Sequence, residues 1–139
     1  MTASLRANQA FDKFQRALTN LQTELDSDAG DAKSRNSALL TFMLTFETFW
    51  KALKAALSAC EGVDAGTPKE ALRSARQVGW LCGDEAQWLE MADDRNLIVH
   101  TYNDEQAETI FRRIKGYAPA LTTARDALTT ALNSKIMSP

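Results

Sequence analysis

The chain has 139 residues and 45% hydrophobic residues, which is the size and composition of one globular domain. Its 16 basic and 18 acidic residues give a net charge of −2. A broad nucleic-acid-binding surface is normally basic, so this balance argues against one and requires any RNA contact to be local. We therefore expect a single domain over residues 1–139.

Cysteine and histidine are scarce in this sequence. Cys60 and Cys82 do not form a CxxC pair, and the single histidine leaves no cluster with the spacing of a zinc site. We interpret both cysteines as reduced, mostly buried thiols. The N-terminus lacks an apolar signal-peptide segment, and no apolar run reaches membrane-spanning length. We expect a cytoplasmic protein with no metal, no other cofactor and no membrane contact.

The first half of the chain predicts two long helices. They run from about Leu5 to about Leu25 and from about Ser34 to about Cys60, because apolar residues recur there three and four positions apart. The apolar positions are Phe11, Phe14, Leu18, Leu21 and Leu25, followed by Leu39, Phe42, Met43, Phe46, Trp50, Leu53 and Leu57. The aromatic density of the second helix predicts that it is the core helix. Three aromatic residues are expected in the core rather than in a base-stacking surface: Phe46, Trp50 and Trp88.

Helix-start signals then mark two further helices. Thr67 as N-cap followed by Pro68 predicts a short third helix that ends near Val78. Asp84 can cap a fourth helix, which we expect to end near Tyr102.

The last helix should begin after Asn103 or Asp104. Gly116 and Pro119 are expected to kink it rather than end it, because the apolar spacing continues on both sides. Its apolar positions are Ile110, Phe111, Ile114, Tyr117, Leu121, Leu128 and Leu132. No segment has a strand pattern. We therefore predict an all-α fold, an antiparallel up-and-down four-helix bundle with one short extra helix and a kinked last helix.

The fourth helix contains the pattern Arg-x4-His-x-Tyr, formed by Arg95, His100 and Tyr102. On a helical wheel Arg95 lies within an apolar stripe made of Trp88, Met91, Ala92, Ile98, Val99 and Tyr102. A guanidinium in that position needs a carboxylate, carbonyl groups or a bound anion. His100 lies about 140° around the helix, on a polar face with Asp93, Asn96 and Asn103. Arg95 and His100 converge only partly on one helix, so a two-fold dimer could complete their site.

These residue types suit metal-independent cleavage of RNA. Histidine can take the proton of a ribose 2′-OH or protonate the leaving oxygen. Arg95 can hold the phosphate and the charge that builds on it, and Asn96 can orient His100 or bind a phosphate oxygen. Four acidic residues crowd the motif and should repel phosphate unless they are paired or face away: Glu90, Asp93, Asp94 and Asp104.

Three segments carry a resemblance to a known family: residues 88–103 around the motif, the earlier residues 42–51 and the later residues 107–114. Together they resemble the nucleotidyltransferase substrate-binding protein family, a branch of the HEPN superfamily. The similarity runs in order from about residue 5 to about residue 133. It implies a helical bundle, in agreement with the apolar spacing.

The resemblance also implies a function. Many HEPN proteins resemble ribonucleases with an Arg-x4–6-His motif at a homodimer interface. Some relatives are toxins encoded beside a small nucleotidyltransferase, which silences them by attaching AMP to the tyrosine two residues after the histidine. Carried over to this sequence, Arg95 and His100 are the catalytic pair and Tyr102 is the AMP acceptor. This family often has an acidic residue at the position of Met43, and Glu47 remains on that helix as a supporting polar residue.

Two alternatives remain open from the sequence. In the first, the protein is a non-catalytic subunit of a nucleotidyltransferase complex, and Arg95, Asn96 and His100 line a groove for a nucleotide or nucleic acid. In the second, the motif is structural, Arg95 pairs with Glu47 inside the bundle, and His100 has no role.

Overall fold

The computed structural model describes residues 2–101 and 103–137, with the backbone alone for residues 135–137. The described residues form five α-helices: α1 (Ala3–Asp26), α2 (Ala32–Ala56), α3 (Pro68–Gln77), α4 (Glu85–Ile98) and α5 (Asp104–Met137). A π-helical turn at Leu57–Glu61 continues α2. The predicted all-α bundle with one short extra helix is confirmed. No β-strand occurs within the described ranges.

Side-chain caps explain where four of the helices begin. Thr2, Asp31, Thr67 and Asp84 each accept a hydrogen bond from a backbone N–H in the first turn of the helix that follows. Such a cap satisfies a donor that has no partner within the helix. The cap at Thr2 also explains why α1 begins two residues before the predicted Leu5.

The second helix lies at the centre of the bundle, because α2 contacts each of the other four helices. The ring of Phe49 stacks on Trp88 of α4 at 5.7 Å between centroids, and the ring of Phe42 stacks on Tyr117 of α5 at 5.8 Å. Phe46 is 1% exposed. The prediction that α2 is the core helix is confirmed, and so is the burial of Phe46 and Trp88.

Trp50 corrects one detail of that prediction. Its side chain is only partly buried, whereas its neighbour Phe49 is fully buried. With neighbours on several sides, α2 buries an arc centred on Phe42, Phe46, Phe49 and Leu53, and Trp50 falls at the edge of that arc.

The last helix, α5, continues through Gly116 and Pro119 as predicted. All of its predicted apolar positions are buried: Ile110, Phe111, Ile114, Tyr117, Leu121, Leu128 and Leu132. The kink itself stays a prediction. Within the described residues, α5 and the other helices lack the combination of length and hydropathy that a bilayer crossing requires.

The fourth helix ends earlier than predicted. It stops at Ile98, and the backbone N–H groups of His100 and Thr101 bond to the carbonyl groups three residues before them, at 2.9 and 3.2 Å. This tighter turn breaks the helical wheel after Ile98. Val99 is consequently 59% exposed, although the wheel assigned it to the apolar stripe. Tyr102 lies outside the described residues.

Candidate functional site

Arg95 lies on α4 and faces α2. Its Nη2 donates to Glu47 Oε2 at 3.2 Å, and its Nη1 donates to Asn96 Oδ1 at 3.0 Å. The side chains of Arg95 and Glu47 remain 39% and 31% exposed, so this ion pair stabilises the fold by at most about 1 kcal/mol. Arg95 Nε is buried and has no hydrogen-bond partner among the described residues. The arginine therefore has the carboxylate partner that its position required, but one donor is unsatisfied.

Glu47 collects three donors on one carboxylate. Trp50 Nε1 donates to Oε2 at 3.0 Å, and Lys51 Nζ lies 3.2 Å from Oε1. Burial raises the pKa of Glu47, but the hydrogen bonds from Trp50 and Lys51 and the charges of Lys51 and Arg95 outweigh it. The net effect is a pKa below the usual value of a glutamate. Glu47 therefore stays ionised and holds Arg95.

A pocket of about 230 Å³ opens beside this ion pair. We call it the Arg95 pocket, and it lies between α2, the start of α3 and α4. Its lining residues are Phe46, Glu47, Thr67, Pro68, Lys69, Ala92, Arg95 and Asn96. Asn96 thus shares a cavity with Arg95, and its side-chain oxygen faces the guanidinium rather than the imidazole of His100.

His100 lines a different pocket, also of about 230 Å³. We call it the His100 pocket, and it lies between the end of α4 and the first turns of α5. Its lining residues are Leu97, His100, Thr101, Glu105, Gln106, Thr109, Ile110 and Arg113. Within one protomer, Arg95 and His100 therefore do not meet in one cavity. The five-residue spacing places the two side chains about 140° apart on a helix, and α4 ends at Ile98, two residues before His100.

A buried polar cluster, which the sequence did not predict, supports the His100 pocket. Asp94 is 1% exposed and accepts two hydrogen bonds from Arg113, from Nε at 2.8 Å and from Nη2 at 2.7 Å. The phenol oxygen of Tyr117 lies 2.6 Å from Asp94 Oδ2 and 2.7 Å from Glu90 Oε1. The hydrogen bond to Asp94 raises the pKa of Arg113 and outweighs the opposing effect of burial.

Tyr117 has the most perturbed environment in this cluster. Burial raises the pKa of its phenol far above the usual value, and the hydrogen bonds and negative charges of Asp94 and Glu90 raise it further. The phenol therefore remains protonated. Asp94 lies three residues after Met91 and four before Ile98, which are both in the apolar stripe, and this spacing was the sequence signal for its burial.

The four acidic residues around the motif all have partners. Asp93 pairs with Lys69 at 2.9 Å, Asp104 with Arg35 at 2.9 Å, Asp94 with Arg113 at 2.7 Å, and Glu90 with the Tyr117 phenol at 2.7 Å. Three of the four carboxylates thus lie opposite a basic side chain, which weakens the repulsion expected for a phosphate.

Large apolar side chains are exposed around the end of α4. They are Leu40 and Leu44 on α2, which are 66% and 56% exposed, and Leu97 and Val99, which are 49% and 59% exposed. Leu40 lines a pocket together with Ile98 and Thr101, and Leu44 lies one turn further along α2, three residues before Glu47. We call these four residues the apolar rim. Large apolar side chains exposed in this way are candidates for a protein contact surface.

Metal ligands do not converge at this surface. Over residues 2–101 and 103–137, no three His, Cys, Asp or Glu side chains are grouped so that they could hold a metal ion.

Comparisons with known proteins cover most of the chain. The family whose description reads nucleotidyltransferase substrate binding protein like has a sequence model that matches residues 9–130. The crystal structure of a protein from Thermus thermophilus matches with a TM-score of 0.78 and 39% sequence identity, over 83% of this chain and 98% of that chain. No curated protein matches the sequence.

Proposed function

Because the chain belongs to the family of nucleotidyltransferase substrate-binding-like proteins, we propose that it is the companion subunit of a small nucleotidyltransferase. In this proposal it is a HEPN-type toxin, a metal-independent ribonuclease that acts as a homodimer. Arg95 and His100 are its catalytic residues, Asn96 and Glu47 support Arg95, and the partner silences the enzyme by transferring AMP to Tyr102.

The chemistry follows from the two catalytic residues. The imidazole of His100 accepts the proton of a ribose 2′-OH, and the 2′-oxygen then bonds to the adjacent phosphorus. Arg95 donates hydrogen bonds to the phosphate oxygens, on which negative charge builds. The bond from phosphorus to the 5′-oxygen breaks, and that oxygen takes up a proton. The products are a 2′,3′-cyclic phosphate and a 5′-hydroxyl.

One observation carries the proposal of a dimer: Arg95 and His100 line separate pockets within one protomer. A two-fold contact over the apolar rim would bury its four apolar side chains. The same contact can bring Arg95 of one copy towards His100 of the other. Arg95 is suited to this role, because its ion pair with Glu47 is weak and its side chain is 39% exposed.

The test is RNA cleavage by the purified protein in EDTA. We expect the wild type to cut RNA and leave 2′,3′-cyclic phosphate ends, and we expect His100→Ala and Arg95→Ala to abolish cleavage. Both variants should remain folded, since His100 is exposed and the Arg95 ion pair is partly exposed. AMP transfer to Tyr102 by the partner should suppress cleavage in the wild type.

A second candidate function has support in the Arg95 pocket. There the guanidinium is already engaged by Glu47 and Asn96, and Lys69 adds a further cation, so the cavity suits nucleotide binding without cleavage. In that case the purified wild type will not cut RNA, and Arg95→Ala will lose nucleotide binding, whereas His100→Ala will keep it because His100 lines the other pocket. If both variants keep every measurable activity, the motif residues have no functional role and both proposals fail.

A further inference from the structure

The His100 pocket contains an arginine other than Arg95, and a buried carboxylate fixes its orientation. Arg113 projects from α5, and its Nε and Nη2 are held by the two oxygens of Asp94. The Asp94 side chain is 2% exposed, whereas the Arg113 side chain is 34% exposed and lines the pocket. Asp94 is itself held by the Tyr117 phenol at 2.6 Å. The buried cluster thus fixes a guanidinium at the edge of an open cavity.

The geometry of the guanidinium leaves donors for a ligand. A guanidinium carries five N–H groups in a planar fork. The bidentate bond to Asp94 uses one N–H on Nε and one on Nη2. One N–H on Nη2 and both on Nη1 remain, and Nη1 makes no described hydrogen bond within residues 2–101 and 103–137. One donor on Nη2 and one on Nη1 share the end of the guanidinium opposite Cδ, where a phosphate can accept both.

We propose that the His100 pocket is a phosphate subsite for ribonucleotides, in which Arg113 binds the phosphate beside His100 and Asp94 acts as a positioning residue. The inference rests on the proposed function in one respect only, that the ligand is RNA or a piece of it. Asp94 reduces the net positive charge that Arg113 presents to a phosphate. It also holds the Arg113 guanidinium in place, so that binding costs little side-chain entropy.

The other lining residues indicate which phosphate compound fits. Glu105 is an exposed acid in the pocket lining, and it disfavours a bare phosphate ion. Its carboxylate can instead accept a hydrogen bond from a ribose hydroxyl next to the phosphate. The apolar side chains of Leu97 and Ile110 provide a surface for a sugar or a base. A ribonucleotide satisfies all of these groups together, whereas inorganic phosphate satisfies only Arg113 and His100.

The sequence provides a direct probe of this pocket, because His100 is the only histidine in the chain. Its imidazole proton signal in NMR therefore needs no assignment. We would titrate the wild type with each of the four ribonucleoside 3′-monophosphates, with their 2′-deoxy counterparts and with inorganic phosphate, at constant pH and ionic strength. These compounds have no leaving nucleotide and cannot be cleaved, so binding is measured apart from catalysis.

Matched variants isolate the role of Arg113. Arg113→Gln removes the charge, and Arg113→Lys keeps the charge opposite Asp94 but removes the fork, so it covers the case in which the glutamine variant does not fold. Arg112→Gln is the control, because Arg112 is the neighbouring arginine, is 72% exposed, pairs with Glu108 at 3.7 Å and does not line the pocket. We expect binding to weaken about tenfold or more in Arg113→Gln, several-fold in Arg113→Lys, and not in Arg112→Gln.

Several outcomes overturn the inference. It fails if no ribonucleotide shifts the His100 signal saturably, or if the Arg113 variants bind as tightly as Arg112→Gln. The assignment to ribonucleotides fails if inorganic phosphate or the 2′-deoxy compounds bind as tightly as the ribonucleotides.

Cleavage assays on the same variants separate this inference from the proposed function. If the wild type binds ribonucleotides through Arg113 but does not cut RNA, the subsite proposal stands and the ribonuclease proposal fails. If the wild type cuts RNA and Arg113→Lys leaves the KM unchanged, the ribonuclease proposal stands and the subsite proposal fails.

Discussion

Glu47 is the residue that determines where Arg95 points. It accepts hydrogen bonds from Arg95 and Trp50 and pairs with Lys51, and its pKa lies below the usual value of a glutamate. A carboxyl group whose pKa is lowered by folding stabilises the protein above its unfolded pKa of about 4.3, and this contribution disappears as the pH falls through the folded pKa. The contribution of this pairing to stability is therefore complete at neutral pH and is lost only in acidic solution.

We accordingly expect Glu47→Gln to destabilise the fold by less than about 1 kcal/mol at pH 7, because the groups are partly exposed. The difference from the wild type should shrink as the pH falls from 7 towards 3. Urea unfolding of both proteins at pH 7 and pH 3 measures this. A difference that is as large at pH 3 as at pH 7 would show that packing, rather than charge, explains the effect.

Tyr117 carries a pKa effect of opposite sign. Its pKa is raised by burial and by Asp94 and Glu90, so it stabilises the fold fully below the unfolded pKa of about 10. As the pH rises above that value, the unfolded chain loses the proton and the folded one keeps it. Stability then falls with rising pH by up to about 1.4 kcal/mol per pH unit.

The variant Tyr117→Phe tests this directly. Below pH 9 it should be less stable than the wild type by about 1–2 kcal/mol, because the hydrogen bond from the single phenol O–H, which faces the carboxylates of Asp94 and Glu90, is lost. Above pH 10 the difference should shrink, as followed by urea unfolding from pH 8 to pH 11. Tyrosinate absorbance provides a control, since the folded wild type and the folded variant should titrate equally. Extra tyrosinate in the folded wild type would contradict the raised pKa.

Residue-level sequence reasoning identified part of this site. The need of Arg95 for a partner, and Glu47 as a candidate, followed from the desolvation of a charge in an apolar stripe. The cluster of Asp94, Arg113 and Tyr117 did not follow, because its members lie 19 and 23 residues apart on two helices. Which two helix faces meet depends on packing across the bundle, and periodicity within a single helix does not contain that information.

At the scale of elements, α2 shows how apolar spacing can identify a helix and still misplace its buried arc. Phe49 is fully buried and stacks on Trp88, whereas Trp50 is partly buried. We expect Phe49→Ala to lower the free energy of unfolding by about 3–5 kcal/mol, as for other buried aromatic truncations. Trp50→Ala should have a smaller effect, measured in the same urea titration. Equal effects would place both rings in the core.

Helix boundaries were predictable where a side chain marks them. The cap at Thr67, with Pro68 after it, defines the start of α3 in the sequence and in the structure. The end of α4 has no such mark. It results from the backbone hydrogen bonds that His100 and Thr101 donate to carbonyl groups three residues earlier. The apolar spacing of the sequence continues past this point and therefore does not indicate the helix end. That four-residue difference places His100 outside α4.

At the scale of the whole molecule, the apolar rim is the feature that a single copy of the chain leaves exposed to solvent. We expect the wild type to scatter light with about twice the mass of one chain. Leu44→Glu should yield folded monomers that do not cut RNA, because a charge at the contact surface opposes association. Leu5→Glu is the matched control, since Leu5 is 47% exposed but lies on α1, outside the rim. A wild type that is monomeric at tens of micromolar would remove the basis for a shared site.

Mixed dimers test whether the site is shared between copies. If Arg95 of one copy works with His100 of the other, an Arg95→Ala chain and a His100→Ala chain together form one intact site, although each is inactive alone. Random co-expression gives half mixed dimers with one working site of two, so activity should recover to about one quarter of the wild type. The control is the double variant co-expressed with His100→Ala, which can form no intact site. If the singly substituted chains recover nothing while mixed dimers form, both residues act within one copy, and the separation of their pockets must close by movement of the chain segment after Ile98.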